Sequence, residues 1–338
     1  MNTAPSSTPH LTSTTAGTSG VPGHNDRTRS DQDQPQVDAA QRARAAGEQA
    51  LVLGGGGSTG NAWLIGVIAG LFDAGLDVTT ADLTIGTSAG STAGAQMAGA
   101  TPTELFAAIL AAAPQHRTGP VGSVRGPVSS RPVVDHLERI RKIIASAEDA
   151  ADMRRRMGAA ALDLDAASDG SWQAQWRATV AARLPSRRWP GRSVLITAVD
   201  AETGEPVVFH RHSGVDLADA VAASCASGLP YRIGDKRYID GGYRRNENAD
   251  LAAGHGRVLV LSPFGGRTRH PLDWGMQLAA QVDELRAGGS GVETIFPDGN
   301  SEQLFGANAM DLSLRPPAAR AGYEQGKALA EKLTEFWR

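Results

Sequence analysis

Two glycine-framed turns decide the fold: Leu51-Val52-Leu53-Gly54-Gly55-Gly56-Gly57-Ser58-Thr59-Gly60 and Leu83-Thr84-Ile85-Gly86-Thr87-Ser88-Ala89-Gly90. Each begins with a short apolar run, the mark of a buried strand, and each opens into a helix of small residues. The first turn offers backbone N–H groups with no side chain in the way. The second presents a serine where a strand gives way to a helix. An anion cradle and a nucleophile on adjacent strands are the parts that acyl transfer needs.

Outward from these turns the periodicity continues. Asn61–Ala74 carries Trp63, Leu64, Val67, Ile68, Leu71 and Phe72 at helical spacing and ends at Gly75. Ser91–Ala100 reads as a helix of small residues and Thr103–Ala113 as another, stopped by Pro114. This β-α-β-α order predicts an α/β fold with a mostly parallel, helix-covered sheet. Further strands are expected at Ser193–Val199, Pro206–Phe209, Arg237–Ile239, Val258–Leu261 and Glu293–Phe296. Helices are expected at Leu217–Ser224, Leu272–Leu285 and Ala318–Phe336.

Residues 114–190 differ in character. A Gly/Pro/Ser loop runs from Pro114 to Pro132, and an amphipathic helix then puts Val133, Leu137, Ile140 and Ile144 on one face. Arg154-Arg155-Arg156 lies in a second helical segment, and Trp172 and Trp176 share a helix face at i and i+4. The region reads as an inserted helical cap whose apolar face covers the site or contacts lipid. The plainer alternative is a helical pair that finishes the core.

The first 47 residues are mostly Ser, Thr, Gly, Pro, Asp, Gln and Ala, too polar to offset their ordering entropy, and read as a disordered tail. The net charge of −3 offers no basic field for nucleic acid. The lone Cys225 excludes an internal disulfide and fits a reducing compartment. There is no signal-peptide pattern and no apolar run long enough to span a bilayer, so a cytoplasmic location is expected, compatible with peripheral membrane contact.

Gly86-Thr87-Ser88-Ala89-Gly90 satisfies G-x-S-x-G in the context a nucleophile elbow requires, a strand before and a helix after. Gly86, Ala89 and Gly90 keep the turn tight, and the helix N-terminus favours a developing oxyanion. The bland reading is a turn that only connects strand to helix. Gly55, Gly57 and Gly60 also match G-x-G-x-x-G, a dinucleotide fingerprint. Its acidic partner would be Asp77, which falls at a helix end and turn rather than a strand end, and no lysine follows Gly60 to make a phosphate loop.

A serine hydroxyl needs a base. No histidine is framed by a motif, although His255 or His270 would complete a Ser-Asp-His chain order. Asp240 is framed: it ends the strand Arg237-Tyr238-Ile239 and is followed by Gly241 and Gly242. A carboxylate at a strand's end beside a strand-end serine could accept the hydroxyl proton, with burial raising its pKa. The alternative is a turn in which the aspartate caps its own backbone.

Together these residues resemble the patatin-like phospholipase family. Gly55-Gly56-Gly57-Ser58-Thr59-Gly60 is similar to its G-G-G-x-[R/K]-G oxyanion loop, Gly86–Gly90 to its nucleophile elbow, and Asp240-Gly241-Gly242 to its D-G-[G/A] base motif. Ala220–Ala226 is similar to the helix shortly before the family's aspartate. The resemblance implies a three-layer α/β/α fold over residues 48–338. It implies a Ser88–Asp240 dyad and oxyanion donors at Gly55, Gly56 and Gly57, with Gly60, Gly86, Gly90, Gly241 and Gly242 in support. It implies an ester-bearing lipid as substrate and neither cofactor nor metal. Thr59 departs from the family pattern, which has Arg or Lys there, and a preference for phospholipid does not follow from the motifs alone.

Overall fold

A computed structural model describes residues 48–112, 131–299 and 301–338. The polar tail, and the expected loop up to residue 130, lie outside the described residues. Among those described, eight strands form one sheet. They are β1 (Gln49–Leu53), β2 (Leu83–Gly86), β3 (Ser193–Asp200), β4 (Pro206–Phe209), β5 (Tyr231–Ile233), β6 (Lys236–Asp240), β7 (Arg257–Leu261) and β8 (Gly291–Ile295). The order across the sheet is β5-β6-β3-β2-β1-β7-β8, with β4 also paired to β3. Strands β3, β2, β1, β7 and β8 run parallel, while β4 and β6 are antiparallel to β3.

The helices are α1 (Gly57–Asp73), α2 (Ala89–Met97), α3 (Pro102–Ala111), α4 (Arg131–Ser146), α5 (Ala150–Ala166), α6 (Ser171–Ala181), α7 (Leu217–Ser224), α8 (Leu278–Ala287) and α9 (Arg315–Trp337). The central strands are buried on both faces, which is why they read as unbroken apolar runs. Leu51, Leu53, Leu259 and Leu261 face α1 and α9, and Ala50, Val52, Val258 and Val260 face α8 on the other side. The mixed α/β architecture, a mostly parallel central sheet flanked by helices, is the one expected.

Helix α1 is buried from Ser58 to Leu71 because α9 lies directly against it. Gly66 and Gly70 on α1 face Gly322 and Gly326 on α9. A Cβ on any of the four would enter the partner's backbone, at the carbonyls of Ala319, Tyr323, Trp63 and Val67 respectively. The two axes approach so closely because both helices place small residues four positions apart.

Three elements differ from the sequence reading. Helix α1 begins at Gly57 rather than Asn61, so the tail of the glycine loop is itself the first helical turn. The helix expected over Leu272–Leu285 is interrupted at Gly275, which adopts φ 64°, leaving a 3-10 turn at Leu272–Trp274 and α8 beyond it. The short strand β5 was not expected; it forms a hairpin with β6 across Gly234 at φ 61°.

Strand β3 positions the site. Its residue Ile196 is in register with Gly86 at the end of β2, and Ala198 is in register with Asp240 at the end of β6. Two strands approaching from opposite directions therefore end two residues apart along a third. This brings together side chains that are far apart in sequence.

Candidate active site

Ser88 adopts φ 53° and ψ −112°, between the end of β2 and the start of α2. A non-glycine residue in that region is strained and persists only where its surroundings hold it. Here the Ser88 N–H donates to Ser224 Oγ at 2.9 Å, and its carbonyl accepts from Ser91 Oγ at 2.7 Å and Cys225 Sγ at 3.2 Å. Gly90 must be glycine because a Cβ there would occupy the Leu53 carbonyl. The segment Ala220–Ala226 thus acts locally, its Ser224 and Cys225 holding the backbone of the elbow.

Asp240 is buried at the end of β6. Its Oδ1 accepts from the Gly242 N–H at 2.8 Å, so it does cap its own turn, as the alternative expected. It also faces the elbow. Burial pushes its pKa up to about 6, against the opposing pull of the Gly242 N–H and of the Ser88 side chain as hydrogen-bonding neighbours. The Cys225 thiol is pushed up to about 11 by burial and then by the charge of Asp240, which leaves it protonated and a poor nucleophile.

The glycine loop lies against the same space. Ser88, Asp240, Gly55, Gly56 and Gly57 all line one cavity of about 570 Å³. The loop's donors are not equivalent. The Gly55 N–H is spent on the Asn246 carbonyl at 3.0 Å, and the Thr59 N–H on the Ala309 carbonyl at 3.0 Å. Among the described residues the N–H groups of Gly56, Gly57 and Ser58 have no acceptor. The expectation that Gly55 is a free donor is therefore corrected: its N–H anchors the loop, and the unsatisfied donors begin one residue later. Gly57 takes φ 64°, and a Cβ there would lie 2.8 Å from the Ala309 carbonyl.

The supporting glycines act sterically. A Cβ on Gly60 would lie 3.1 Å from Pro263, one on Gly86 would lie 2.6 Å from the Ser91 Cα, and one on Gly241 would strike the Thr197 backbone. Gly242 supplies the N–H that caps Asp240. Thr59 is fully buried with no partner for its hydroxyl among the described residues, and it does not line the cavity.

The histidine alternatives separate by position. His255 lies just before β7, at the N-terminal end of the parallel strands, and its Nδ1 contacts the Ala252 carbonyl at 3.0 Å. Ser88 lies at the opposite, C-terminal end. His270 does line the cavity, but its Nδ1 pairs with the Thr268 hydroxyl at 2.8 Å, and burial followed by Arg269 and Arg154 lowers its pKa to about 4. Asp77, the acidic partner a dinucleotide site would need, caps a 3-10 turn through Thr79 instead of ending a strand.

Sequence reasoning missed the segment Arg244–Asn248. The Asn246 carbonyl holds the Gly55 N–H, and the Asn246 side chain donates to the Gly55 carbonyl at 3.3 Å. The Asn248 amide donates to the Thr87 hydroxyl at 2.9 Å, the Thr197 hydroxyl at 3.2 Å and the Gly241 carbonyl at 3.3 Å. One short segment thus ties the glycine loop, the elbow strand and the aspartate turn to each other. Arg244 fixes it in turn, bonding Asn248 Oδ1 at 2.8 Å and pairing with Asp250 at 2.6 Å. The one signal for it in sequence was its nearness to Asp240.

The helical region contributes Ile140 and Ile144 from α4 and Trp176 from α6 to the cavity wall. Trp172 stacks on Trp176 with centroids 6.0 Å apart and meets Tyr231 edge-on, so it packs inward. The side chain of Val133 lies outside the described residues. Among those described, no helix is long and apolar enough to cross a membrane.

A search of curated proteins finds no match. A search of solved structures finds the crystal structure of VipD from Legionella pneumophila, with 13% identity and a TM-score of 0.37, over 85% of this chain and 67% of that one. The family model described as patatin-like phospholipase matches residues 51–253, more than half of the chain and a span that holds both glycine turns and Asp240. The chain belongs to the patatin-like phospholipase family, a family of lipid acyl hydrolases.

Proposed function

We propose that this protein is a serine acyl hydrolase that cleaves a carboxylic ester through a Ser88–Asp240 dyad. The observation that carries the reading is the meeting of Ser88, in its strained elbow, with the buried Asp240 in one cavity that also holds the open donors of Gly56 and Gly57. Ser88 Oγ attacks the ester carbonyl while Asp240 takes its proton. The carbonyl oxygen becomes an oxyanion received by the N–H groups of Gly56 and Gly57 at the start of α1, whose dipole adds to the effect. Collapse of the tetrahedral adduct expels the alkoxide, which takes the proton from Asp240 and leaves an acyl-serine. Water then attacks, Asp240 accepts its proton and returns it to Ser88 Oγ, and the free acid departs.

The elevated pKa of Asp240 suits this role, because a base near 6 is ionised at neutral pH yet more basic than an ordinary carboxylate. Ile140, Ile144, Trp176 and Phe264 give the cavity an apolar wall for an acyl chain. In this reading α4 and α6 act as the cap, and deleting them from a folded variant changes chain-length preference.

The test is hydrolysis of p-nitrophenyl esters together with labelling by a fluorophosphonate. Ser88→Ala abolishes both, and Asp240→Asn lowers turnover by at least about a thousandfold. Wild-type turnover retained in either variant refutes the dyad. His270→Ala retains most of its rate; a loss of several orders of magnitude there would move the assignment to a triad.

A further inference from the structure

The cavity lining is rich in cationic side chains. Arg183, Arg267, Arg269 and Arg315 line it, and among the described residues Asp240 is the one carboxylate that does. Arg315 is the most firmly placed of the four. It is half-buried at the start of α9, with Nη1 donating to the Ser58 carbonyl at 2.7 Å and to Ser58 Oγ at 3.2 Å, and Nη2 donating to Asn61 Oδ1 at 3.1 Å. All of these acceptors are neutral. A guanidinium carries five N–H donors, so part of its fork is left over. No carboxylate pairs with it among the described residues.

Leaving such a charge partly desolvated and unpaired is costly, and such groups are paired in most structures. A second cation adds to the cost: Arg183, itself exposed and without a side-chain partner among the described residues, lies close enough to help burial lower the Arg315 pKa to about 10. Two arginines that repel each other, beside the open N–H groups of Gly56, Gly57 and Ser58, form an arrangement that an anion relieves. Arg315 lies C-terminal to the residues 51–253 that match the family model.

We propose that Arg315, assisted by Arg183, binds an acidic group of the substrate, so that the preferred ester carries a carboxylate or a phosphate close to the scissile carbonyl. Arg315 is then a specificity residue, reached from α9 and held at the mouth of the glycine loop by Ser58. This proposal rests on the acyl-hydrolase reading for the word substrate, but the anion site itself does not.

The experiment compares matched esters on the full chain. One pair is p-nitrophenyl butyrate and mono-p-nitrophenyl glutarate, which differ by a carboxylate. The other is a short-chain diacylglycerol and the corresponding phosphatidic acid, which differ by a phosphate. Preference is read as the ratio of kcat/KM, acidic over neutral. Arg315→Gln reduces that ratio about ten- to a hundredfold, the range for a lost hydrogen bond to a charged group, and Arg315→Lys restores part of it. Arg183→Gln, at an exposed position, reduces it in the same direction and serves if Arg315→Gln fails to fold. The pair that shows the effect tells carboxylate from phosphate. An equal loss on acidic and neutral esters, or no change in the ratio, overturns the proposal. Independently of turnover, inorganic phosphate is titrated calorimetrically into Ser88→Ala and Ser88→Ala/Arg315→Gln. Weaker binding in the double variant supports the site even if no ester is ever cleaved, and equal binding refutes it.

Discussion

The side-chain amide of Asn248 donates to the Thr87 hydroxyl at 2.9 Å across 161 residues of chain. Thr87 immediately precedes Ser88, and the same amide reaches the Gly241 carbonyl, next to Asp240. The relative placement of the serine and the aspartate therefore passes through one buried asparagine. Asn248 itself adopts φ 53°, a conformation asparagine tolerates better than most residues.

Asn248→Ala leaves two threonine hydroxyls and a carbonyl without this donor in a buried space and puts alanine in a left-handed conformation. A loss of about 2–4 kcal/mol follows, read as a lower urea midpoint at unchanged slope. Turnover falls as well, because the elbow and the aspartate turn are no longer tied together. A variant as stable as wild type would show that the other contacts of the segment suffice.

The raised pKa of Asp240 makes activity and stability respond oppositely to pH. As the base of the proposed dyad it must be ionised, so kcat/KM is expected to rise through an apparent pKa near 6. In the unfolded chain its pKa is the ordinary 3.8, so the folded state binds more proton between the two values. Stability is then lost as pH rises from about 4 to 6 and stays lower above that, by about 3 kcal/mol for a shift of this size. Asp240→Asn is accordingly more stable than wild type at pH 7 and shows no advantage near pH 4. Denaturant curves at the two pH values check this, and an unchanged difference between them would contradict it.

Ser88→Gly relieves the strained backbone and Ser88→Ala does not. Both remove the hydroxyl and both are inactive, yet the glycine variant is more stable than the alanine variant by about 1–2 kcal/mol in thermal unfolding. Equal stability of the two would mean that the elbow stores no strain.

Gly322→Ala drives a methyl group into the Trp63 carbonyl of α1. Separating two helices packed backbone to backbone costs about 2–3 kcal/mol or more, against a gain of at most about 1 kcal/mol from better helix propensity. A lower melting temperature is expected, although alanine normally strengthens a helix.

The placement of Ser88, Asp240 and the glycine loop at strand-to-turn junctions was legible in the sequence, because a strand followed by a constrained turn leaves a mark in composition. The parallel core was legible for a related reason, since strands buried on both faces read as apolar runs. What was not legible depends on partners distant in sequence. That the Gly55 N–H is spent while the Gly56 N–H stays open follows from the carbonyl of Asn246, which no local pattern announces. Asn248 and Arg315 are polar residues without periodicity, and their importance comes from what the fold places opposite them. The break at Gly275 was hidden by apolar residues that keep helical spacing across it.

Helix α9 lies with its glycines pressed onto those of α1, and the leading ends of both helices reach the cavity. Gly57 and Ser58 open α1, and Arg315 opens α9 with its guanidinium on Ser58. The far end of the polypeptide is thus a keel to the glycine turn near its beginning: it sets the depth and angle at which that turn sits. Trimming the chain before Arg315 would leave every motif residue in place, yet let the first helix roll on the sheet and carry the open N–H groups out of line with Ser88.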